Sequence, residues 1–79
     1  MIQRFDSKFA VGIKQTLKLI EKGEGKFVYI AKDADKKLVG PVIKLAEDKA
    51  VEIIYVDTTK ELGVLCGIDV GSAAAIILD

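Results

Sequence analysis

Residues 26–56 read KFVYIAKDADKKLVGPVIKLAEDKAVEIIYV, and this stretch decides the fold class. It begins and ends with short runs rich in aromatic and β-branched residues, Lys26–Ala31 and Val51–Val56, which predict two buried strands. Between them, Asp33-Ala34-Asp35 has the composition of a turn, with carboxylates suited to capping a helix. The helix that follows is expected to end near Lys49. A strand, a helix and a strand in this order are typical of an α/β fold.

The helix in this stretch contains a glycine and a proline in succession, Gly40 and Pro41. Proline has no N–H to donate, so it fits best in the first turn of a helix, where that donor would have no partner within the helix. We therefore expect Pro41 to lie in the first turn, just after Gly40. Val42, Leu45 and Ala46 are then expected to face the core.

Upstream of this stretch, the sequence predicts another helix over Ile13–Lys22, with Gly12 able to cap its start and Gly23 able to stop it. Its apolar residues recur at helical spacing and form one stripe: Ile13, Leu17 and Ile20. Residues 5–11, ahead of this helix, are expected to hold a short helix followed by a short strand.

Downstream, Thr58 and Glu61 have the spacing of a capping box, which predicts a helix that ends near Cys66 with Gly67 as its stop. The last residues, 71–79 (GSAAAIILD), are compatible with either a short helix or a strand. The alternation of strands and helices along the chain predicts an α/β sandwich with a small sheet between helices.

With 79 residues, 51% of them apolar, the chain has the size and composition of a single folded domain. It contains no histidine and one cysteine, which excludes the usual Cys/His zinc site and Ser-His-Asp or Cys-His catalysis within the chain. We therefore expect no enzyme activity, no metal and no cofactor. Asp33 and Asp35 have the spacing of metal ligands or of a carboxylate pair, but the turn and cap interpretation is favoured. A small enzyme that uses these carboxylates and lysines is the weakest alternative.

Several features predict a soluble protein of the cytoplasm. The start of the sequence, MIQRFDSKFA, lacks the apolar core of a secretory signal. The most apolar stretch, Leu62–Leu78, contains Asp69 and is shorter than the roughly 20 residues that span a bilayer. A lone cysteine cannot form an internal disulfide, which fits a reducing compartment, and Cys66 is expected to be a small buried packing residue.

The basic residues are concentrated early in the chain, since 11 of the 12 lie at or before Lys49. Lys14, Lys18 and Lys22 are spaced by four and therefore lie on one face of the predicted first helix. The stripe begins at a helix start, where free backbone N–H groups and the positive end of the helix dipole favour phosphate. Gln15 can both donate to and accept from base edges. A solvated helix face is the alternative interpretation of the lysines alone.

A resemblance to a known family favours the interpretation as a nucleic-acid-binding helix. Five segments of the chain carry it, in this order: GIKQTLK (12–18), IAKDAD (30–35), LAED (45–48), LG (62–63) and CGIDVGSAA (66–74). Together they span nearly the whole chain and resemble the ribosomal L-seven-Ae and L-thirty-e superfamily, which binds kink-turn RNA. The bacterial ribosome-associated members are the most similar, because they too carry Lys-Gln where archaeal members have Asn-Glu.

The resemblance implies a three-layer α-β-α sandwich around a small four-stranded mixed sheet, in which residues 73–78 (AAAIIL) form a strand. It also implies binding to a sharply bent RNA internal loop, where sheared G·A pairs lie beside a protruding nucleotide. The start of the first helix would enter the major groove, and a loop before the last strand would cover the protruding base. The positions that match the family's RNA contacts are Gly12, Lys14, Gln15, Lys18, Lys22, Lys60, Ile68, Asp69 and Val70.

These residue types suit that chemistry, because Lys and Gln supply donors for guanine O6 and N7, and Ile68 and Val70 give an apolar surface for a base. The expected partner is structured RNA, such as ribosomal RNA on the ribosome, bound by a monomer. Glu61 and Val64 stand where relatives usually have Arg or Lys. Since a carboxylate near phosphate is repulsive, they favour one alternative, a ribosome-associated protein-interaction or assembly adaptor with weak RNA binding.

Overall fold

The computed structural model describes residues 5–78, in which strands and helices alternate. In chain order they are β1 (Phe9–Val11), α1 (Ile13–Glu21), β2 (Phe27–Ala31), α2 (Lys36–Asp48), β3 (Glu52–Val56), α3 (Thr59–Leu65) and β4 (Ala74–Ile77). The predicted alternation is confirmed, and the ambiguous C-terminal segment forms a strand. Within the described residues, no helix is long and apolar enough to cross a membrane.

The strands of residues 5–78 form a four-stranded mixed sheet with the order β1-β4-β2-β3. β4 is antiparallel to both of its neighbours, whereas β2 and β3 are parallel. β1, β2 and β3 therefore run in the same direction, and each is followed by a helix. As a result, α1, α2 and α3 all begin at the same end of the sheet, where β4 also begins. We call this the helix-start end.

The helices cover both faces of the sheet, which confirms the predicted three-layer sandwich. α1 and α2 pack on one face, around a core that includes Ile20, Val28, Ile30, Val42, Ala46 and Ile76. α3 packs on the other face, around Ala31, Leu62, Cys66 and Ala75. The alternation of side chains along each strand produces this division, since Ile30 and Ala31 are adjacent in β2 but belong to opposite cores.

The start of α2 differs from the expectation. The helix begins at Lys36, because the Asp35 carboxylate accepts a hydrogen bond of 2.9 Å from the Lys37 N–H and caps it. Pro41 is therefore inside the helix and not in its first turn. The expectation for Pro41 is wrong because the cap in the preceding turn starts the helix earlier than the proline alone indicates.

Two features allow α2 to continue through Pro41. In helical backbone the proline ring clashes with the Cβ of the preceding residue, but that residue is Gly40, which has none. Pro41 and Lys37 are both exposed, so water can solvate the Lys37 carbonyl that loses its N–H partner. The predicted inward-facing residues of α2 do line the core, two of them fully buried and the third half-buried: Val42, Ala46 and Leu45.

Residues 5–8 form no helix, so the short helix expected ahead of β1 is absent from the described residues. Packing against α3 holds this segment in place, since the Phe5 N–H donates to the Leu65 carbonyl oxygen at 2.8 Å. The Phe5 ring also packs against the rings of Phe9 and Tyr29, with centroids 5.4 and 4.8 Å apart. These contacts with distant residues outweigh the local preference of the segment. The short strand expected after it is confirmed as β1.

Candidate nucleic-acid interface

The start of α1 lies directly beside the end of the loop that precedes β4. The Gly12 N–H donates to the Ala74 carbonyl oxygen at 3.0 Å, and the Ser72 hydroxyl donates to the same oxygen at 2.9 Å. We call residues 67–73 the β4 loop. The two segments that the sequence singled out are thus together at the helix-start end, although they are far apart in the chain.

The first turn of α1 has backbone donors that no side chain caps. Gly12 is the N-cap residue, with a φ of 107° that favours glycine. Because Gly12 has no side chain, the N–H groups of the first turn stay open toward the helix-start end. Together with the positive end of the helix dipole, these donors favour a negatively charged group at this position.

The basic and amide side chains singled out on α1 extend from its first turn to its C-cap. Lys14, Gln15 and Lys18 are exposed, and Lys14 and Lys18 lie on one face. Lys22 is exposed as well, but it is the C-cap residue, about 12 Å further along the helix axis than Lys14 at 1.5 Å per residue. Lys14 and Gln15 therefore lie in the first turn of α1, next to the Gly12 backbone that is hydrogen-bonded to the start of β4, and Lys22 lies at the opposite end of α1.

The residues of the β4 loop that match the family's covering loop differ in exposure. Val70 exposes 70% of its surface, and Asp69 is exposed as well. Ile68 is half-buried, because it packs against the core beneath α3, and its N–H donates to the Gly63 carbonyl oxygen at 3.0 Å. Val70 is therefore the apolar side chain that the loop presents to solvent, whereas Ile68 anchors the loop.

Contacts with α3 hold the β4 loop at this position. The Ser72 N–H donates to the Thr59 carbonyl oxygen at 3.0 Å, which ties the end of the loop to the start of α3. Gly63 lies so close to Val70 that a Cβ at this position would overlap the Val70 carbonyl oxygen. A glycine at position 63 is thus required for the close approach of the loop backbone to the helix.

The start of α3 is capped from two sides. The Thr58 hydroxyl accepts from the Glu61 N–H at 3.0 Å, as the predicted capping box requires. The Asp33 carboxylate, in the loop after β2, accepts from the Thr59 N–H at 2.7 Å. Asp33 thus caps a helix that is 26 residues away in sequence. Because Lys60 follows Thr59, these caps place the exposed Lys60 side chain at the helix-start end.

Removal of the Asp33 cap is expected to cost about 1 kcal/mol of stability, since the Thr59 N–H would lose its acceptor. Asp33→Ala should therefore lower the melting temperature by roughly 4–8 °C, the shift expected per kcal/mol for a domain of this size. Thermal unfolding followed by circular dichroism measures the shift. The control is Asp6→Ala, because the exposed Asp6 carboxylate accepts no hydrogen bond within residues 5–78. Equal losses in the two variants would show that the cap contributes nothing.

Other residues that the sequence singled out have structural roles. Cys66 is buried in the core beneath α3, and this burial raises the pKa of its thiol. Less thiolate is then present at neutral pH, which makes the thiol less reactive and confirms the packing interpretation. Asp33 and Asp35 both cap helices, as the turn and cap interpretation predicted.

One exposed apolar residue at the helix-start end was missed by the sequence reasoning. Leu38 lies in the first turn of α2 and exposes 53% of its surface. A leucine out of phase with the buried Val39, Val42 and Ala46 was the available signal. With Pro41 expected in the first turn, the sequence did not place Leu38 inside the helix, so its exposed position on the helix surface was not predicted.

The helix-start end thus combines an uncapped helix start, exposed lysines from α1 and α3, and an exposed apolar residue on a loop held by α3. These features define the protein's class as a small α/β sandwich that presents exposed lysines and an exposed apolar side chain at one end of its sheet. Residues 4–79 match the model of the family described as ribosomal protein L7Ae/L30e/S12e/Gadd45, and the chain belongs to this family.

Similar proteins cover most of the chain. An RNA-binding protein of Caldanaerobacter subterraneus is 47% identical over 95% of this chain and 92% of its own length. The large ribosomal subunit protein eL8 of Halobacterium salinarum is 38% identical over 85% of this chain and 57% of its own length. The solved structure of a 15.5 kD RNA binding protein of Giardia lamblia has a TM-score of 0.84 at 29% identity, covering 90% of this chain and 60% of that chain.

Proposed function

We propose that this chain is an RNA-binding protein that recognises kink-turn motifs in ribosomal or other structured RNA. The observation that carries the proposal is the hydrogen bond from the Gly12 N–H to the Ala74 carbonyl oxygen, because it joins the start of α1 to the first residue of β4, directly after the β4 loop. Family membership supports the proposal, as do the relatives that are named RNA-binding proteins. In this proposal a monomer binds the RNA in the cytoplasm without a cofactor.

The start of α1 supplies the hydrogen-bond donors for this ligand. Lys14 can donate to guanine O6 and N7, and Gln15 can donate to and accept from base edges, if the helix start enters the major groove. The open N–H groups of the first turn, with Lys18 and Lys60, suit phosphate oxygens. Gly12 has open space around its Cα, which allows the RNA to approach the backbone closely.

In the same proposal, Val70 covers the protruding base. Its exposed side chain gives the base an apolar surface, on a loop that contacts at Ser72 and Gly63 hold against α3. The exposed Asp69 carboxylate can accept from an amino group of that base, and Leu38 adds apolar surface at the same end. Binding of this kind selects the bent RNA from its ensemble, which is a population shift and not a reaction.

A protein-interaction or ribosome-assembly adaptor is the second candidate, and the surface of α3 favours it. Val64 is 39% exposed and Glu61 is half-buried. The resemblance to the family implies Arg or Lys at both positions. A gel-shift titration with a kink-turn RNA separates the two candidates. Saturable binding supports RNA recognition, whereas the absence of a shift under conditions in which the Caldanaerobacter relative binds supports the adaptor.

Lys14 and Lys22 are expected to differ in role, because they lie at opposite ends of α1. Lys22→Ala should weaken binding to all RNAs about equally, and it should lower the slope of log affinity against log salt by about one, as for a lost phosphate contact. Lys14→Ala should instead reduce the preference for a kink-turn over a plain duplex, since Lys14 stands at the helix start. Salt titrations of both variants on both RNAs measure the difference.

Thermal melts control for folding in this comparison, since exposed substitutions of this kind change stability by no more than about 0.5 kcal/mol. Gln15→Ala should behave like Lys14→Ala, because its side chain stands at the same end of α1. Identical behaviour of Lys14→Ala and Lys22→Ala on both RNAs would contradict the division of roles. If neither variant changes binding, the lysines form only a solvated helix face.

A further inference from the structure

A cavity of about 380 Å³ opens between the first half of α2 and the carboxyl ends of β2 and β3. This volume lies in the range of small-molecule and cofactor sites. Its lining is mostly apolar, and three side chains with polar tips, Lys32, Lys36 and Tyr55, also contribute to it. An apolar cavity with a few polar groups is the usual composition of a ligand site.

Tyr55 forms the wall of this cavity on the sheet side. It is paired in register with Ile30, whose side chain belongs to the core beneath α1 and α2, so both side chains lie on that face of the sheet. Because β3 is an edge strand, the Tyr55 side chain is only partly covered and remains 48% exposed. A half-exposed aromatic ring beside an apolar cavity offers a flat surface on which a base can stack.

The opposite wall is the surface of α2, and Gly40 leaves it open. A Cβ built at Gly40 meets no other atom within 4 Å, so the missing side chain corresponds to free volume. Val39 is buried and Ile43 is half-buried on either side of it. Glycine inside a helix is destabilising, and the steric demand of Pro41 accounts for its presence here. The open wall of the cavity is therefore a consequence of the Gly40-Pro41 sequence.

Two lysines give the cavity a positive rim. Lys36 is the first residue of α2 and is exposed, and it forms no ion pair within residues 5–78. The Lys32 ammonium is 3.5 Å from the Asp57 carboxylate, but the two side chains are 61% and 76% exposed. Such an exposed pair is weak, so Lys32 remains available to another anion. The rim therefore suits an anionic group attached to a flat apolar one.

We propose that this cavity holds one nucleotide of a single-stranded RNA segment adjoining the kink-turn, with the base on Tyr55 and the phosphate between Lys32 and Lys36. The inference rests on the proposed RNA-binding function and extends it to a second site. The cavity residues Lys36, Gly40 and Ile43 lie on the side of α2 opposite to Leu38, so this site is distinct from the surface around the β4 loop.

Its location supports a continuous RNA path. The cavity lies at the helix-start end, because its lining includes the carboxyl ends of β2 and β3 and the start of α2. β4 and β1 follow β2 in the sheet. At about 4.8 Å between neighbouring strands, the cavity lies roughly 10–15 Å from the start of α1, a distance that a short single strand can cross. Continuity with this surface and the flat Tyr55 wall favour a nucleotide over an acidic peptide.

The test compares a blunt-ended kink-turn RNA with the same RNA carrying a short single-stranded extension at its 5′ or its 3′ end. The wild-type protein should bind one of the extended RNAs at least about fivefold more tightly than the blunt RNA, as expected for one base stacked on an aromatic side chain. Tyr55→Ala should abolish this gain and leave the affinity for the blunt RNA unchanged.

Lys36→Glu and Lys37→Glu form a matched pair. Both make the same charge change in the same turn of α2, but only Lys36 lines the cavity. Lys36→Glu should abolish the gain from the extension, whereas Lys37→Glu should retain it, and the two should affect the blunt RNA equally. If both variants lose the tighter binding to the extended RNA, the cavity proposal is overturned. Net charge, and not the position of Lys36 in the cavity, would then explain the tighter binding.

The remaining outcomes separate the two proposals. A wild-type protein that binds none of the RNAs would overturn both. Normal binding to the blunt RNA, without a gain from either extension, would overturn only the cavity site. In NMR titrations, the amide signals of Gly40 and Ile43 should shift with the extended RNA and not with the blunt RNA. Shifts there with an acidic peptide and none with RNA would assign the cavity to a protein partner.

Discussion

Replacing the tandem sheared G·A pairs of a kink-turn RNA with Watson–Crick pairs is expected to weaken binding by at least about 2 kcal/mol, since a good base contact contributes about 1–3 kcal/mol of discrimination. The reason lies at the start of α1, where Lys14 and Gln15 stand on an uncapped first turn beside the β4 loop. There they can read base edges, which a regular Watson–Crick helix would hide from side chains in the deep, narrow major groove of A-form RNA. Titrations of both RNAs at the same salt concentration measure the difference.

The charge balance of the chain makes this comparison informative. Its 12 basic and 12 acidic residues give a formal net charge of zero, so overall charge provides little attraction for a plain duplex. Gln15→Ala should remove part of the preference and leave duplex binding unchanged, because Gln15 carries no charge. Equal affinity for the two RNAs would reduce this protein to a nonspecific binder and contradict the kink-turn proposal.

Elements with strong local signals were predictable from the sequence. The runs KFVYIA and VEIIYV form β2 and β3, each starting one residue later than predicted, and the Thr58 cap opens α3. The start of α2 was not predictable in the same way, because two signals compete there. The Asp35 cap prevails over Pro41, since Gly40 removes the steric conflict that normally keeps proline out of a helix interior.

Where local signals are weak, pairing with distant residues decides the structure. The segment AAAIIL is compatible with a helix or a strand, and it forms β4 because β1 and β2 provide ladders on both of its sides. No property of the segment alone contains this information. The resemblance to the family implied the strand correctly, since a family resemblance includes the long-range pairing of its members.

The candidate site was only partly accessible from sequence. Lys14 and Gln15 could be nominated from their position at a helix start, but the different exposure of Ile68 and Val70 depends on how the β4 loop packs against α3. The cavity beside α2 had no sequence signal at all. It exists because β3 brings Tyr55 opposite Gly40, and only the folded chain creates that pairing of residues.

Gly63→Ala is expected to destabilise the protein by about 1–3 kcal/mol, although alanine is the better helix former. Gly63 lies within α3, and helix propensity alone would make the substitution stabilising by about 1 kcal/mol. The new Cβ, however, would overlap the Val70 carbonyl oxygen and lie 3.1 Å from its carbon and 3.2 Å from the Gly71 Cα. These are backbone atoms that cannot rotate away, so the β4 loop or α3 must shift.

The same substitution should weaken kink-turn binding, because a displaced β4 loop no longer holds Val70 in the position from which, in the proposed function, it covers the protruding base. Thermal unfolding and titration with kink-turn RNA measure the two effects on one protein sample. Val64→Ala is the matched control, since it places an alanine at the adjacent, exposed position of α3 and should leave stability unchanged or slightly raised. A higher melting temperature for Gly63→Ala would contradict this prediction, because it would mean that the β4 loop can shift without a loss in the free energy of unfolding. Unchanged RNA affinity alongside a lower melting temperature would show that the position of Val70 does not matter for recognition.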